Sequence, residues 1–148
     1  MHVSKIFINT NFLLLRYLEL RYIQEGTKYL DWDVKKENYV ELDFKLPAII
    51  VPIENKNKEI SAIQRVYLDP KTAGKPSKHH KKSKGVLKEN VAVIYKGKPK
   101  SKKVVIAEGP ETAATIIDVV DAIEENIPVL ASLSLGNFAT IGMYLESF

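Results

Sequence analysis

A carboxylate lies at a junction of the chain that favours chemistry. The apolar run Val104–Ala107 predicts a short buried strand, and Glu108, Gly109 and Pro110 follow it directly. Gly109 permits a tight turn, and proline suits the first position of a helix because its missing N–H would have no partner there. Glu108 is therefore expected just beyond the carboxyl end of a strand, where open α/β sheets bind ligands. A carboxylate in that position can move a proton or bind a divalent cation.

A helix and a second strand are predicted after this junction. Apolar residues recur at three- and four-residue spacing from Ala113 to Ile123, which predicts one wide buried helical face. Asn126 favours a helix end, and the run Ile127–Leu133 predicts a second buried strand. Strand, helix and strand within about thirty residues form a βαβ unit. The residues that end the second strand, Ser134, Gly136 and Asn137, are therefore expected beside Glu108, and Gly142–Phe148 is expected to begin a further helix.

The upstream part of the chain predicts a helix followed by a small antiparallel sheet, so the predicted fold class is α+β. Leucines at helical spacing predict an amphipathic helix over Asn11–Ile23 that ends near Gly26. The expected strands are Tyr39–Phe44, Pro47–Ile53, Glu59–Leu68 and Val91–Tyr95, with a hairpin turn at residues 54–58 and a loop over Asp69–Lys88. We divide the chain into a β-rich part, 1–101, and an α/β part, 102–148.

Composition limits the possible classes of function. A chain of 148 residues can bury a core, and the lack of cysteine excludes disulfides, thiolate zinc sites and a cysteine nucleophile. The apolar run Ile6–Leu15 is short and interrupted by polar residues, so we predict neither a membrane span nor a signal peptide, and we expect a soluble cytoplasmic protein. Asp31-Trp32-Asp33, in a turn-like region, is interpreted as a solvated surface feature, and the pair His79-His80 is a weak metal signal.

The charge of the chain is concentrated in one segment. The net charge is +4, and residues 71–103 hold twelve lysines and one acid, Glu89. Such a segment is either a solvated loop or a surface for a polyanion. Lysine lacks the planar fork of arginine, which favours attraction of phosphates over reading of bases. The candidate nucleic-acid contacts are Lys75, Lys78, Lys81, Lys82 and Lys84.

Two ordered motifs resemble those of a known family. The runs Ile106–Ala113 and Pro128–Asn137 resemble the AEG-x-ETA and LS-x-GN motifs of the Toprim (topoisomerase-primase) domain, in the version carried by primases and primase-helicases of phages, plasmids and integrated elements. The run Gln64–Pro70 resembles the β-rich segment that precedes Toprim there, and Arg16–Ile23 resembles its opening. The resemblance covers most of the chain and implies nucleotidyl transfer, with RNA primer synthesis in DNA replication.

The resemblance also implies roles for particular residues. Glu108 matches the Toprim glutamate, a general acid/base or a metal-linked carboxylate, and the complete family domain uses Mg²⁺. Gly109 matches the turn glycine. The weaker candidate substrate contacts are Gly109, Glu111, Ser134, Gly136 and Asn137. The implied partner is single-stranded DNA or a primed template.

The chain departs from the family pattern at one point. A complete Toprim domain continues into a third strand with an Asp-x-Asp pair that binds the metal, and this chain stops at Phe148 before such a strand. We therefore expect a truncated, Rossmann-like Toprim half-domain that is inactive or incomplete alone, with a separately encoded C-terminal half or a helicase as its partner. Two alternatives stay open: a non-catalytic module that binds single-stranded nucleic acid through Lys71–Lys103, and a degenerate remnant.

Overall fold

The fold was obtained as a computed structural model, which describes residues 20–33, 35–72, 75–76, 80–139 and 141–146. Within these residues the chain forms seven strands and four helices. The strands are β1 (Arg21–Asp33), β2 (Asn38–Glu54), β3 (Ile60–Tyr67), β4 (Lys81–Gly85), β5 (Val91–Tyr95), β6 (Val105–Ala107) and β7 (Val129–Ala131). The helices are α1 (Pro110–Val119), α2 (Ala122–Glu125), α3 (Leu135–Phe138) and α4 (Gly142–Glu146). Among the described helices, none is long and apolar enough to cross a membrane.

All seven strands belong to one mixed sheet. Its order is β4-β3-β2-β5-β7-β6. Strand β1 lies off this path and pairs with residues 38–50 of β2. The β6–β7 pair is parallel, whereas the other pairs are antiparallel. The long strand β2 pairs with β5 through two residue pairs, Ile53 with Ala92 and Glu54 with Val91. The α+β class is confirmed, and the predicted antiparallel sheet and the parallel pair are continuous with each other.

The predicted βαβ unit is confirmed as β6, α1 and β7. Residues 105–107 pair in parallel with residues 129–131. Helix α1 begins at Pro110, with Gly109 as its N-cap and Glu111 in its first turn. The helix is shorter than predicted, because Asp121 adopts the left-handed conformation with φ 48° and separates α1 from α2. Aspartate tolerates that conformation better than most residues. Asn126 ends α2 in the same conformation, so the predicted helix end is confirmed.

The core lies on both faces of the sheet. On one side, named here the α1 face, Ala113 and Ile117 of α1 pack with Ile53, Ala92 and other buried residues. On the other side, named the α4 face, Ile141 and Tyr144 pack against Val91, Val93 and Leu130. Because successive residues of a strand point to opposite faces, β5 contributes Val91 and Val93 to one side and Ala92 and Ile94 to the other.

The predicted N-terminal helix is wrong where the structure describes it. Residues 11–19 lie outside the described residues, but Arg21–Ile23 and Gly26 lie inside β1. β1 pairs antiparallel with β2, from Arg21 opposite Ile50 to Asp33 opposite Asn38. Pairing with a long partner strand overrides a helical spacing that rests on a few apolar residues.

The predicted loop over Asp69–Lys88 is also partly wrong. Residues Lys81–Gly85 form β4, which pairs with residues 62–66 of β3. The sequence of β4 has no alternation of apolar residues that would predict a strand. Backbone hydrogen bonds to β3 hold it at the edge of the sheet without such a pattern. Lysine side chains are a common device for protecting such edges from further pairing.

The other strand predictions agree with the structure. Tyr39–Phe44 and Pro47–Ile53 lie within the single strand β2, Glu59–Leu68 contains β3, and Val91–Tyr95 is β5. The hairpin turn at residues 54–58 is confirmed, with the Lys58 N–H donating to the Asn55 carbonyl at 3.0 Å. The helix predicted from Gly142 is confirmed as α4 within the described residues.

Candidate functional site

Glu108 lies between β6 and α1, at the carboxyl end of the parallel strand pair. Its backbone carbonyl accepts a hydrogen bond from the Leu133 N–H at 2.7 Å, which ties the junction to the end of β7. Its side chain is exposed and has no hydrogen-bond or ion-pair partner among the described residues. The carboxylate is therefore anchored through its backbone and open to a ligand.

Glu111, in the first turn of α1, is held by neighbouring side chains. Lys81 Nζ lies 2.7 Å from Glu111 Oε2, and His80 Nε2 lies 3.7 Å from Glu111 Oε1. Burial, and then the nearby Lys81 charge, lower the pKa of His80, although Glu111 opposes this effect. Lys81 is therefore the cation that neutralises Glu111 near pH 7. The contact joins β4 to the first turn of α1 and leaves Glu108 as the open carboxylate of the pair.

Glu108 opens into a cleft between β3, β4 and the start of α1. The cleft, named here the Glu108 cleft, has a volume of about 290 Å³. It is lined by Gln64, Lys81, Leu133 and residues 108–112. A second cleft of about 310 Å³ shares Leu133 with it and is lined by Leu87, Lys88, Ser134, Gly136 and Asn137. The two motifs that are distant in sequence therefore border adjacent clefts.

The residues predicted after β7 differ from one another in role. Gly136 is exposed, and a Cβ atom at its position would have no other atom within 4 Å. Ser134 caps α3, because its Oγ accepts from the Asn137 N–H at 3.1 Å. Asn137 is 8% exposed. Its Nδ2 donates to the carbonyls of Asn90 and Ser132, and its Oδ1 accepts from the Glu89 N–H at 2.6 Å. The Asn137 amide thus holds α3 against the backbone that precedes β5.

The lysines of the basic segment are distributed over different parts of the molecule. Lys81 is bound to Glu111, Lys82 is 8% exposed, and Lys78 lies outside the described residues. Lys75 and Lys84 are exposed. Lys96, Lys98, Lys100, Lys102 and Lys103 are exposed around the loop that leads into β6. That loop lies at the amino end of β6, whereas Glu108 lies at its carboxyl end.

Among the described residues, neither of the two minor signals, Asp31-Trp32-Asp33 and His80 of the histidine pair, belongs to a metal centre. Residues Asp31–Asp33 form the end of β1 rather than a turn. His79 lies outside the described residues, and His80 contacts Glu111. Within the described part of the chain, no group of three or more histidine, aspartate or glutamate side chains is arranged to bind a metal ion. These residues alone therefore do not fit a complete Mg²⁺ site.

Sequence reasoning did not single out Gln64, which lines the Glu108 cleft. Gln64 is 9% exposed, and its Nε2 donates to Ser83 Oγ at 3.1 Å. On β3 it shares a face with Ala62 and Val66, both buried in the α1-face core. A polar residue at an inward position of an alternating strand is the signal that could have identified it.

A second polar cluster on the α4 face was also not predicted. Glu54 is 4% exposed, accepts from the Tyr144 hydroxyl at 3.0 Å and lies 3.5 Å from Lys96 Nζ. Lys58 Nζ lies 3.5 Å from the centre of the Tyr144 ring. Burial, aided by the Glu54 charge, raises the pKa of the Tyr144 hydroxyl, which therefore remains a donor. The cluster borders a cavity of about 320 Å³ and ties α4 to the end of β2.

Comparison of this chain with protein-family models, with curated proteins and with solved structures finds no match in any of the three.

Proposed function

We propose that this chain is the glutamate-bearing part of a Toprim-type nucleotidyltransferase, related to the DNA primases of mobile elements. The observation that carries the proposal is the position of Glu108. It follows a strand of a parallel pair directly, it is exposed, and its side chain has no partner among the described residues. The resemblance of the runs around Glu108 and Asn137 to the family motifs supports the same function.

The proposed role of Glu108 is to accept a proton from the 3′-hydroxyl of a nucleic-acid chain. The hydroxyl must lose its proton to attack the phosphorus of an incoming nucleotide, and an adjacent carboxylate can accept it. Glu111 is less suited to this role because Lys81 lies 2.7 Å from its carboxylate. Single-stranded DNA or a primed template is the proposed partner.

The complete family domain uses Mg²⁺, which neutralises the leaving pyrophosphate when it is bound. The Glu108 carboxylate, which has no partner among the described residues, is the group proposed to contribute one oxygen ligand. The described residues do not assemble the remaining ligands. We therefore propose that a separate polypeptide segment supplies the metal-binding aspartates. That segment is a separately encoded Toprim half or belongs to a helicase.

Primer synthesis tests this proposal. The chain is combined with a Toprim segment that carries the Asp-x-Asp strand, and synthesis is measured on single-stranded DNA with ribonucleotides and Mg²⁺. Glu108→Gln is expected to reduce synthesis by about 10²–10⁴-fold, the typical contribution of a general base. Glu124→Gln, at an exposed glutamate of α2, is the matched control and should retain synthesis. Equal synthesis by Glu108→Gln and wild type, or no synthesis by the wild type, contradicts the catalytic role.

A binding module without catalysis is the second candidate function, and the exposed lysines favour it. Nine of the twelve lysines in the basic segment are exposed: Lys71, Lys75, Lys84, Lys88, Lys96, Lys98, Lys100, Lys102 and Lys103. Neutralising phosphates releases counterions, so the affinity for single-stranded DNA should fall steeply as salt rises. Replacement of Lys98, Lys100 and Lys102 by glutamine should reduce the slope by up to ~0.7 per lost phosphate contact. Binding that does not respond to salt excludes this module.

A further inference from the structure

On the β3 side of the Glu108 cleft, the buried side-chain amide of Gln64 has one atom without a hydrogen-bond partner among the described residues. The Nε2 of Gln64 donates to Ser83 Oγ, whereas its Oε1 is buried and accepts no hydrogen bond from any described residue. Buried polar atoms are nearly always paired, so an exception requires an explanation. Because Gln64 lines the cleft, a small rotation of its side chain toward the cleft would let a ligand there supply the missing donor.

The charges of the cleft restrict the chemistry of that ligand. The side-chain acceptors of the cleft without a partner among the described residues include the Glu108 carboxylate and Gln64 Oε1, while the Glu111 carboxylate and the ammonium group of Lys81 are paired with each other. Two acceptors suit a group that donates hydrogen bonds, such as a pair of neighbouring hydroxyls. An anionic ligand would meet the unneutralised charge of Glu108, since Glu111 is paired with Lys81. The volume of about 290 Å³ is at the lower end of small-molecule sites, roughly 300–1,000 Å³, which suits a sugar better than a whole nucleotide.

We propose that the Glu108 cleft binds the terminal ribose of an RNA 3′ end, with the 2′-hydroxyl donating to Gln64 Oε1 and the 3′-hydroxyl facing Glu108. The inference rests on the proposed function, since it places the reacting hydroxyl beside the proposed base. Gln64 then determines specificity: it recognises the hydroxyl that distinguishes ribose from deoxyribose. Ser83 positions the amide of Gln64 by accepting from its Nε2.

Binding of short oligonucleotides tests the proposal without requiring catalysis. Hexanucleotides labelled at the 5′ end and identical except for the terminal sugar are titrated with the whole chain, and dissociation constants are obtained from fluorescence anisotropy. The wild type is expected to bind the ribose end about tenfold more tightly than the 2′-deoxyribose end, the value of about one hydrogen bond. Gln64→Met keeps the length of the side chain and should bring the ratio close to one. Gln64→Glu keeps an acceptor and should retain the preference.

A hexanucleotide with a 2′-fluoro terminal sugar tests hydrogen-bond donation by the 2′ group with the wild-type chain alone. This test remains valid even if Gln64→Met does not fold. Fluorine cannot donate a hydrogen bond, so this end should bind like 2′-deoxyribose. A ratio near one in the wild type, an unchanged ratio in Gln64→Met, or a 2′-fluoro end that binds like ribose overturns the proposal. A ribose preference that depends on Gln64, in a chain without Glu108-dependent synthesis, would leave this inference standing and remove the proposed function.

Discussion

Glu54 and Glu108, two carboxylates near strand ends of the same sheet, differ in burial and in side-chain partners. Glu54 is the last residue of β2, is 4% exposed on the α4 face, and has Tyr144 and Lys96 as partners. Glu108 lies one residue beyond β6, is exposed, and has no side-chain partner among the described residues. A buried carboxylate with partners links elements of the fold, whereas an exposed one after a strand end can exchange protons with a ligand. The two roles therefore differ with position: Glu54 lies inside a strand, whereas Glu108 lies just beyond one.

The largest expected effect on stability is at Glu54. In Glu54→Ala, the buried Tyr144 hydroxyl loses its hydrogen bond to the Glu54 carboxylate, and we expect the free energy of unfolding to fall by about 2–4 kcal/mol. The matched variant Glu108→Ala changes an exposed side chain and should alter it by less than about 0.5 kcal/mol. Urea denaturation of both variants measures the difference. Similar losses in the two variants would contradict the distinction between the two carboxylates.

Asn137 combines features of both carboxylates. It borders the second cleft, but its side chain is buried and hydrogen-bonded to the backbone. Asn137→Ala leaves the Ser132 carbonyl and the Glu89 N–H without this partner, and should lower the free energy of unfolding by about 1–3 kcal/mol. Ser134→Ala, which removes one helix cap, is the control and should lower it by about 1 kcal/mol or less. If chemical denaturation finds Asn137→Ala as stable as wild type, the hydrogen bonds of Asn137 do not stabilise the fold and its assigned structural role is wrong.

The smallest expected effect is the pH response of the β4–α1 contact. Because burial lowers the pKa of His80 in the folded chain, the unfolded chain takes up the proton more readily as pH falls below about 6.5. The stability contributed by neutral His80 is therefore complete above that pH and is lost as pH falls toward the lowered pKa. Thermal unfolding at pH 7.5 and 5.5 should show a smaller decrease for His80→Asn than for wild type. Equal decreases would show that His80 does not contribute.

Local signals explain which elements could be predicted. The unit β6–α1–β7 follows from neighbouring residues: an apolar run, Gly109 and Pro110 at the junction, and a helical spacing after it. β1 and β4 depend on partners far away in sequence, such as Ile50 for Arg21 and Val66 for Lys81. No local pattern in these segments specifies that pairing.

The candidate site was predictable to a similar extent. The position of Glu108 follows from the strand end, but the neutralisation of Glu111 depends on Lys81, thirty residues earlier in the chain. The basic segment, continuous in sequence, is divided in space because β4 and the loop before β6 lie in different parts of the sheet. The role of Asn137 depends on the backbone at Glu89 and Asn90, which no motif indicates.

The narrow joint between β2 and β5 has a mechanical consequence. β3 and β4 carry one wall of the Glu108 cleft, and β5, β7 and β6 support the other, yet two residue pairs connect these halves within the sheet. The ion pair between Lys81 and Glu111, which both line the cleft, also connects the halves. The width of the opening is thus set by a short strand pairing together with side-chain contacts between the halves, such as Lys81 with Glu111 and Tyr144 with Glu54. Substitutions at Ile53 or Ala92, which do not line the cleft, would therefore also change the alignment of its walls.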